Sequence, residues 1–237
     1  AALEVGYRHI DTAIEYGNEA WVGQALAEAA VPRSEVFVTT KLMPSHQSDA
    51  RGNLAQSLER LQSDYVDLLL IHWPDEERTI GAWDVMQELK AEGKVRSIGV
   101  SNVTVRRFED FFFQHTDVVP SVNQIELHPF NTRSALIEYC TDKGIAVEGY
   151  SPLARAQRMD DATLVRTARR HGKTAAQVMI RWQLQHGYVV IPKSSDAGRI
   201  GENFDVFDFE LDADEMACLD GLNEDWCVLP WRPEGYY

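Results

Sequence analysis

Short runs of β-branched and apolar residues recur from end to end of this chain, and each is followed by a stretch with helical spacing. No other feature restricts the fold so tightly. The strand candidates are Arg8–Asp11, Val36–Thr40, Val66–Ile71, Ser97–Val100, Ser121–Glu126, Ala146–Gly149 and Tyr188–Ile191. Most are nearly continuous apolar runs rather than alternating ones, as strands covered on both faces are. Helices lie between them. Asn18–Ala30 carries Val22, Ala25, Leu26 and Ala29 on one face, and a second helix after Asp49 carries Leu54, Leu58 and Leu61. A third, with Trp83, Met86 and Leu89, stops at Gly93, where a helix end wants positive φ. Repeated βα units of this kind wrap a parallel sheet into an α/β barrel, of the (β/α)8 or TIM type. No Pro/Gly/Ser-rich linker interrupts the rhythm, so residues 1–237 read as a single domain. Seven strands can be counted where such a barrel has eight. The opening AALEVG looks like the last turns of a helix ending at Gly6, so the first strand is expected to be missing and the domain N-terminally incomplete.

Composition narrows the partners. A chain of 237 residues can bury the core of one barrel. With 23 basic and 37 acidic residues its net charge is −14, which argues against nucleic acid and anionic membrane surfaces as partners. No apolar run reaches the roughly 20 residues that span a bilayer, and no signal peptide is legible, so a cytoplasmic monomer is expected. Cys140, Cys218 and Cys227 form neither a CxxC pair nor an even set, and no metal site is expected.

Polar residues at the strand exits carry the chemistry. Asp11, Lys41 and His72 follow apolar runs in RHIDTA, VFVTTKL and LLLIHWP, and Tyr16 lies just beyond the first. In a parallel barrel such exits converge on one mouth. An ammonium there is costly unless paired, and Asp11 is the natural partner of Lys41. A phenol beside that ammonium loses its proton more easily, by roughly 1–3 pKa units, which suits Tyr16 to proton donation. His72, followed by Trp73 and Pro74, could hold a substrate carbonyl against it. Singly, each has a plainer reading: Asp11 as a helix cap, Lys41 as a surface lysine, Tyr16 as a turn aromatic, His72 as a structural histidine. The joint placement reverses those odds. Lys41 as a Schiff-base nucleophile of a barrel lyase is a further alternative.

The strings GYRHIDTA, EYGNE, TTKL, DLLLIHWP, SIGVSN, VNQIELHP, GYSPL, VIPKS and RIGENF closely resemble the aldo-keto reductase family, from residue 6 to about 222. The compact motifs look nearest to bacterial diketo-gluconate and methylglyoxal reductases. The resemblance implies an eight-strand barrel that reduces a small carbonyl compound with NAD(P)H. It implies Tyr16 as proton donor, Lys41 and Asp11 as its tuners, His72 as the carbonyl-orienting group, and Trp73 beside the substrate. It further implies Ser101, Asn102 and Gln124 on the nicotinamide amide and Tyr150 stacked on the ring. Ser151 and Leu153 would meet the pyrophosphate, Lys193 and Ser194 the phosphates of the adenosine half, Arg199 the 2′-phosphate, and Glu202 and Asn203 the adenine. NADP(H) is favoured over NAD(H), although Asp196 stands where relatives often have threonine and would repel a 2′-phosphate unless it caps the following helix. Ala154 replaces a commoner glycine and Met43 a commoner tryptophan. The tail aromatics Trp226, Trp231, Tyr236 and Tyr237 could lid the pocket or pack on the barrel flank. A catalytically impaired nucleotide-binding barrel serving as a regulatory or interaction module is the alternative function.

Overall fold

The computed structural model describes residues 1–229; Trp231, Tyr236 and Tyr237 of the tail lie outside them. The chain forms two compact units. One holds residues 8–123 and 142–145; the other holds 1–7, 124–141 and 146–229. Seven strands occur among the described residues.

The first unit is built on four parallel strands in chain order, β1 (His9–Asp11), β2 (Phe37–Leu42), β3 (Val66–Ile71) and β4 (Val95–Ser101). All six residues of β3 are buried, which accounts for the nearly continuous apolar run VDLLLI. The one charged residue in that run, Asp67, accepts from Arg33 and Arg96 and from the Val38 amide. Pairing carries β2 two residues further than its apolar run suggests, because Lys41 and Leu42 stay in register with Leu70 and Ile71. β4 likewise extends to Val95–Ser101.

The helices of this unit start and stop for visible reasons. Ala50–Leu61 is capped by Asp49, which accepts the Gly52 amide, and it ends on Gln62 at φ 51°. Thr79–Ala91 buries Trp83, Met86 and Leu89, and the chain turns at Gly93, φ 74°. Glu19–Glu28 buries only part of the expected face: Leu26 is buried, and Val22 and Ala29 are half-buried. Its inward residues are Glu19, Gly23 and Leu26, while Ala25 is exposed. A Cβ on Gly23 would stand 2.4 Å from the Arg60 carbonyl oxygen, so the helix Ala50–Leu61 approaches too closely for any side chain there. Glu19 is buried because Thr40 and Arg60 both bond its carboxylate, at 2.6 and 2.8 Å.

Of β5 (Val122–Glu126), residues 122–123 belong to the first unit and 124–126 to the second. In the second unit β6 (Ala146–Tyr150) and β7 (Val189–Val190) pair in parallel, Glu148 opposite Val189. β7 is shorter than its run YVVI. The helices Ala175–Gln185 and Ala213–Asp220 each open on a capping box, Thr174 with Gln177 and Asp212 with Glu215. The short helix Ala2–Val5 ends at Gly6, φ 126°, whose missing side chain makes room for the Phe204 ring.

Candidate active site

Asp11, Tyr16, Lys41 and His72 all belong to the first unit and meet there. Asp11 is the last residue of β1 and Lys41 the next-to-last of β2, so both lie inside the ladder rather than beyond it. His72 follows β3 directly, and Tyr16 ends a 3-10 turn, Ile14–Tyr16, closed by Gly17 at φ 64°. Neither the turn nor the helix after it has a side-chain cap, so Asp11 is not a helix cap.

The Lys41 ammonium is fully buried, and each of its three donors has an acceptor. It is ion-paired to the Asp11 carboxylate, donates to the Thr12 carbonyl at 2.9 Å, and faces the Tyr16 hydroxyl at 3.4 Å. Nζ also stands 4.9 Å from the centre of the Tyr16 ring. Tyr16 is 49% exposed, while its hydroxyl faces the buried ammonium.

His72 Nε2 is 3.5 Å from the Tyr16 hydroxyl, with the two rings edge to face. Burial, with the Lys41 charge and then His46 adding to it, pushes the His72 pKa down to about 3. The imidazole is therefore neutral near pH 7. Its Nδ1 is buried without a partner among the described residues. An orphaned buried N–H is disfavoured more than an unused acceptor, so the proton belongs on Nε2, facing Tyr16. His72 is thus a hydrogen-bond donor to whatever oxygen lies beside Tyr16, and not an acid.

This depression has a pH consequence. Between about pH 6.5, where an exposed histidine titrates, and about 3, the unfolded chain binds a proton at His72 that the folded chain refuses. Stability falls as pH drops through that window, by up to about 1.4 kcal/mol per pH unit. His72→Asn should flatten the acid limb of urea unfolding between those limits; an unchanged slope would mean the folded imidazole is protonated normally.

The peptide of His72 and Trp73 is held from several sides. The His72 amide donates to the Leu42 carbonyl at 2.9 Å, and the His72 carbonyl accepts from Asn102 Nδ2 at 3.1 Å. The Trp73 carbonyl accepts from Gln47 Nε2 at 2.8 Å. Trp73 itself is only 8% exposed, so it can offer no more than an edge to a substrate. Ser101 ends β4, and Asn102 takes φ 62° while donating to the Ser101 hydroxyl. Thr12 and Asn102 lie within the quoted strings GYRHIDTA and SIGVSN, whereas Gln47 carries no sequence signal as a support of these groups.

The second unit holds the other sequence candidates. Gln124 is buried and donates to Glu148 at 2.8 Å. Tyr150 closes β6 and is half-buried, and Ser151 follows it at φ 49°. Leu153 precedes a left-handed run, Ala154, Arg155 and Ala156, all at φ between 48° and 60°. L-residues accept that conformation at about 1–2 kcal/mol each, so glycine would be easier at Ala154. Asp196 caps the helix Ala197–Phe204 by accepting the Arg199 amide at 2.8 Å. Ser194 bonds around the same turn. Lys193 and Arg199 are exposed, and neither forms an ion pair among the described residues. Glu202 accepts from the Thr174 hydroxyl at 2.9 Å, and Asn203 is buried. Trp226 lies near Phe130 and His128, with Arg158 over its ring, so it packs on its own unit.

Known proteins resemble the chain in sequence and in fold. The sequence model of the Aldo/keto reductase family matches residues 1–224. The chain is 44% identical over 232 residues to a glyoxal reductase of Bacillus subtilis, covering 97% of this chain and 84% of that protein. It is 45% identical over 229 residues to a 9,11-endoperoxide prostaglandin H2 reductase of Trypanosoma cruzi, covering 94% and 81%. Among solved structures, an aldo-keto reductase from a deep-sea metagenome library superposes at TM-score 0.93 with 40% identity, over 96% of this chain and 86% of that one. A Bombyx mori aldo-keto reductase in complex with NADP superposes at 0.88 with 37% identity, over 96% and 82%. The fold is therefore that of the (β/α)8 reductases, and the chain belongs to the aldo/keto reductase family, as an oxidoreductase that reduces carbonyl groups with NAD(P)H.

Proposed function

We propose that this enzyme reduces small aldehydes, glyoxal-type dicarbonyls first among them, with Tyr16 as proton donor and NADP(H) as preferred cofactor. One observation carries the assignment of the acid. The buried Lys41 ammonium bonds the Tyr16 hydroxyl while Asp11 and the Thr12 carbonyl hold it, and the neighbouring His72 is neutral. When bound, the nicotinamide supplies a hydride to the carbonyl carbon. Tyr16 gives its proton to the carbonyl oxygen as negative charge grows there, and the ammonium stabilises the phenolate left behind. His72 Nε2–H donates to the same oxygen and fixes its direction towards Tyr16. The substrate class rests on the likeness to the Bacillus subtilis glyoxal reductase.

Residues that suit the cofactor are present. In the first unit Ser101 and Asn102 offer hydroxyl and amide groups that suit a nicotinamide carboxamide; in the second Gln124 offers an amide, Tyr150 a ring for stacking, and Ser151 and Leu153 a loop that suits a pyrophosphate. Lys193 precedes the helix Ala197–Phe204 and Arg199 lies in its first turn, and neither forms an ion pair among the described residues of a chain of net charge −14. That combination suits phosphate. With Ser194 they would hold the adenosine phosphates and the 2′-phosphate, leaving Glu202 and Asn203 for the adenine. Asp196 is the one adverse charge, and its carboxylate is turned to the helix it caps.

Asp196→Thr keeps a capping oxygen and removes the charge, so the KM for NADPH should fall roughly two- to five-fold with that for NADH unchanged. Equal effects on both would count against a 2′-phosphate at this turn. The function itself is tested by following NADPH and NADH consumption over a panel of aldehydes, α-ketoaldehydes and keto-sugars. Turnover with NADPH and glyoxal-type aldehydes is expected. Quenching of tryptophan fluorescence by NADPH with no aldehyde consumed would point instead to a nucleotide-binding module.

A further inference from the structure

His72 stands one residue beyond the end of the β2–β3 ladder. β2 and β3 are in register up to Leu42 and Ile71, and the bond from the His72 amide to the Leu42 carbonyl extends that pairing by one residue. Trp73 comes next, and then Pro74, which has no amide hydrogen to continue it.

Gln47 supplies the missing connection. It closes the short helix Pro44–Gln47 and is 3% exposed. Its Nε2 donates to the Trp73 carbonyl at 2.8 Å and to the Leu42 carbonyl at 3.4 Å. Its Oε1 accepts from the Thr79 hydroxyl at 2.9 Å, and that hydroxyl accepts the Asp75 amide at 2.7 Å. The two carbonyls it bridges belong to the residues immediately after Lys41 and His72. A buried amide is tolerable when its donors and acceptor are used, as they are here. On the other side Asn102 holds the His72 carbonyl.

We infer that Gln47 is a positioning residue for carbonyl reduction: it staples the exits of β2 and β3 together and thereby sets the His72 imidazole against Tyr16. The inference rests on the reading of His72 as the carbonyl-orienting group. The contact it controls has little margin. His72 Nε2 and the Tyr16 hydroxyl are already 3.5 Å apart, at the outer limit of a hydrogen bond, so a further displacement of the His72 backbone breaks it. Misplacement of a reacting group by about 1 Å lowers rates roughly 100-fold. Thr79 acts one bond further out, by orienting the Gln47 amide.

The test is a double-mutant cycle on the full chain, read by steady-state aldehyde reduction with NADPH. Gln47→Met keeps the volume and removes the hydrogen bonds. In the parent enzyme it should lower kcat roughly 10- to 100-fold, with NADPH affinity by fluorescence quenching unchanged. Added to His72→Ala, it should lower kcat by less than about two-fold, because the group it positions is gone. Thr79→Val, nearly isosteric, should give a smaller loss with the same dependence on His72, and serves if Gln47→Met folds poorly. Equal losses in both backgrounds would mean general structural damage and overturn the inference, as would parent-level kcat in Gln47→Met beside an impaired His72→Ala. Parent-level turnover in His72→Ala would instead remove the reading of His72 on which it stands.

Discussion

Tyr16→Phe is expected to bind NADPH as the parent does and to lose carbonyl reduction by roughly 10²–10⁴-fold in kcat, about 3–5 kcal/mol of barrier. The ring should stay where it is. It is held edge to face against His72 and over the Lys41 ammonium, and neither contact uses the hydroxyl. What disappears is the hydroxyl that the buried Lys41 ammonium bonds, on a residue 49% exposed. His72 cannot substitute as acid, because burial keeps it neutral until pH falls to about 3. Lys41 cannot reach an incoming oxygen, because its side chain is fully enclosed and Asp11 and the Thr12 carbonyl hold its ammonium in place. Stopped-flow mixing with NADPH and an aldehyde separates binding from turnover. Parent-level turnover by Tyr16→Phe would move the acid elsewhere and end the assignment.

The sequence makes His72 legible because it follows a run whose burial on both faces forces near-continuous apolarity. That run is β3, with bounds read as Val66–Ile71 and found there. Where polar residues enter the ladder the reading slips. Lys41 looks like the exit of β2, yet pairing with Leu70 keeps it inside, which is why its ammonium is buried rather than merely close to the mouth. Counting apolar residues on Glu19–Glu28 selects Val22, Ala25, Leu26 and Ala29. The packing turns instead on Gly23, which matters for the side chain it lacks, and on Glu19, whose burial depends on Arg60, 41 positions away. Gln47 was illegible for the same reason. Nothing in the string SHQS distinguishes it, and its partners Trp73 and Thr79 lie 26 and 32 positions away. Periodicity reports which face of an element is apolar. It does not report which distant carbonyl a buried amide will meet.

Lys41→Met should abolish turnover about as fully as Tyr16→Phe, for a different reason and with a separable stability effect. A unit charge at 3.4 Å from an oxygen is worth on the order of 4–5 kcal/mol at an effective dielectric near 20, less where water shares the half-exposed phenol. That stabilisation acts on the phenolate formed during proton transfer, so its loss falls on kcat. The same substitution takes the cation from Asp11, whose side chain is 11% exposed. Breaking one side of a buried pair destabilises by about 3–5 kcal/mol, a large fraction of the 5–15 kcal/mol that holds a typical domain. Asp11→Asn combined with Lys41→Met removes both charges, and replacing a buried pair by neutral groups is often close to neutral for stability. Urea unfolding of the double variant should therefore recover most of what Lys41→Met loses, while turnover stays at the single-variant level because the phenol still has no cation. If turnover recovers together with stability, Lys41 holds the fold rather than the proton donor; if it does not, the ammonium acts on Tyr16 directly.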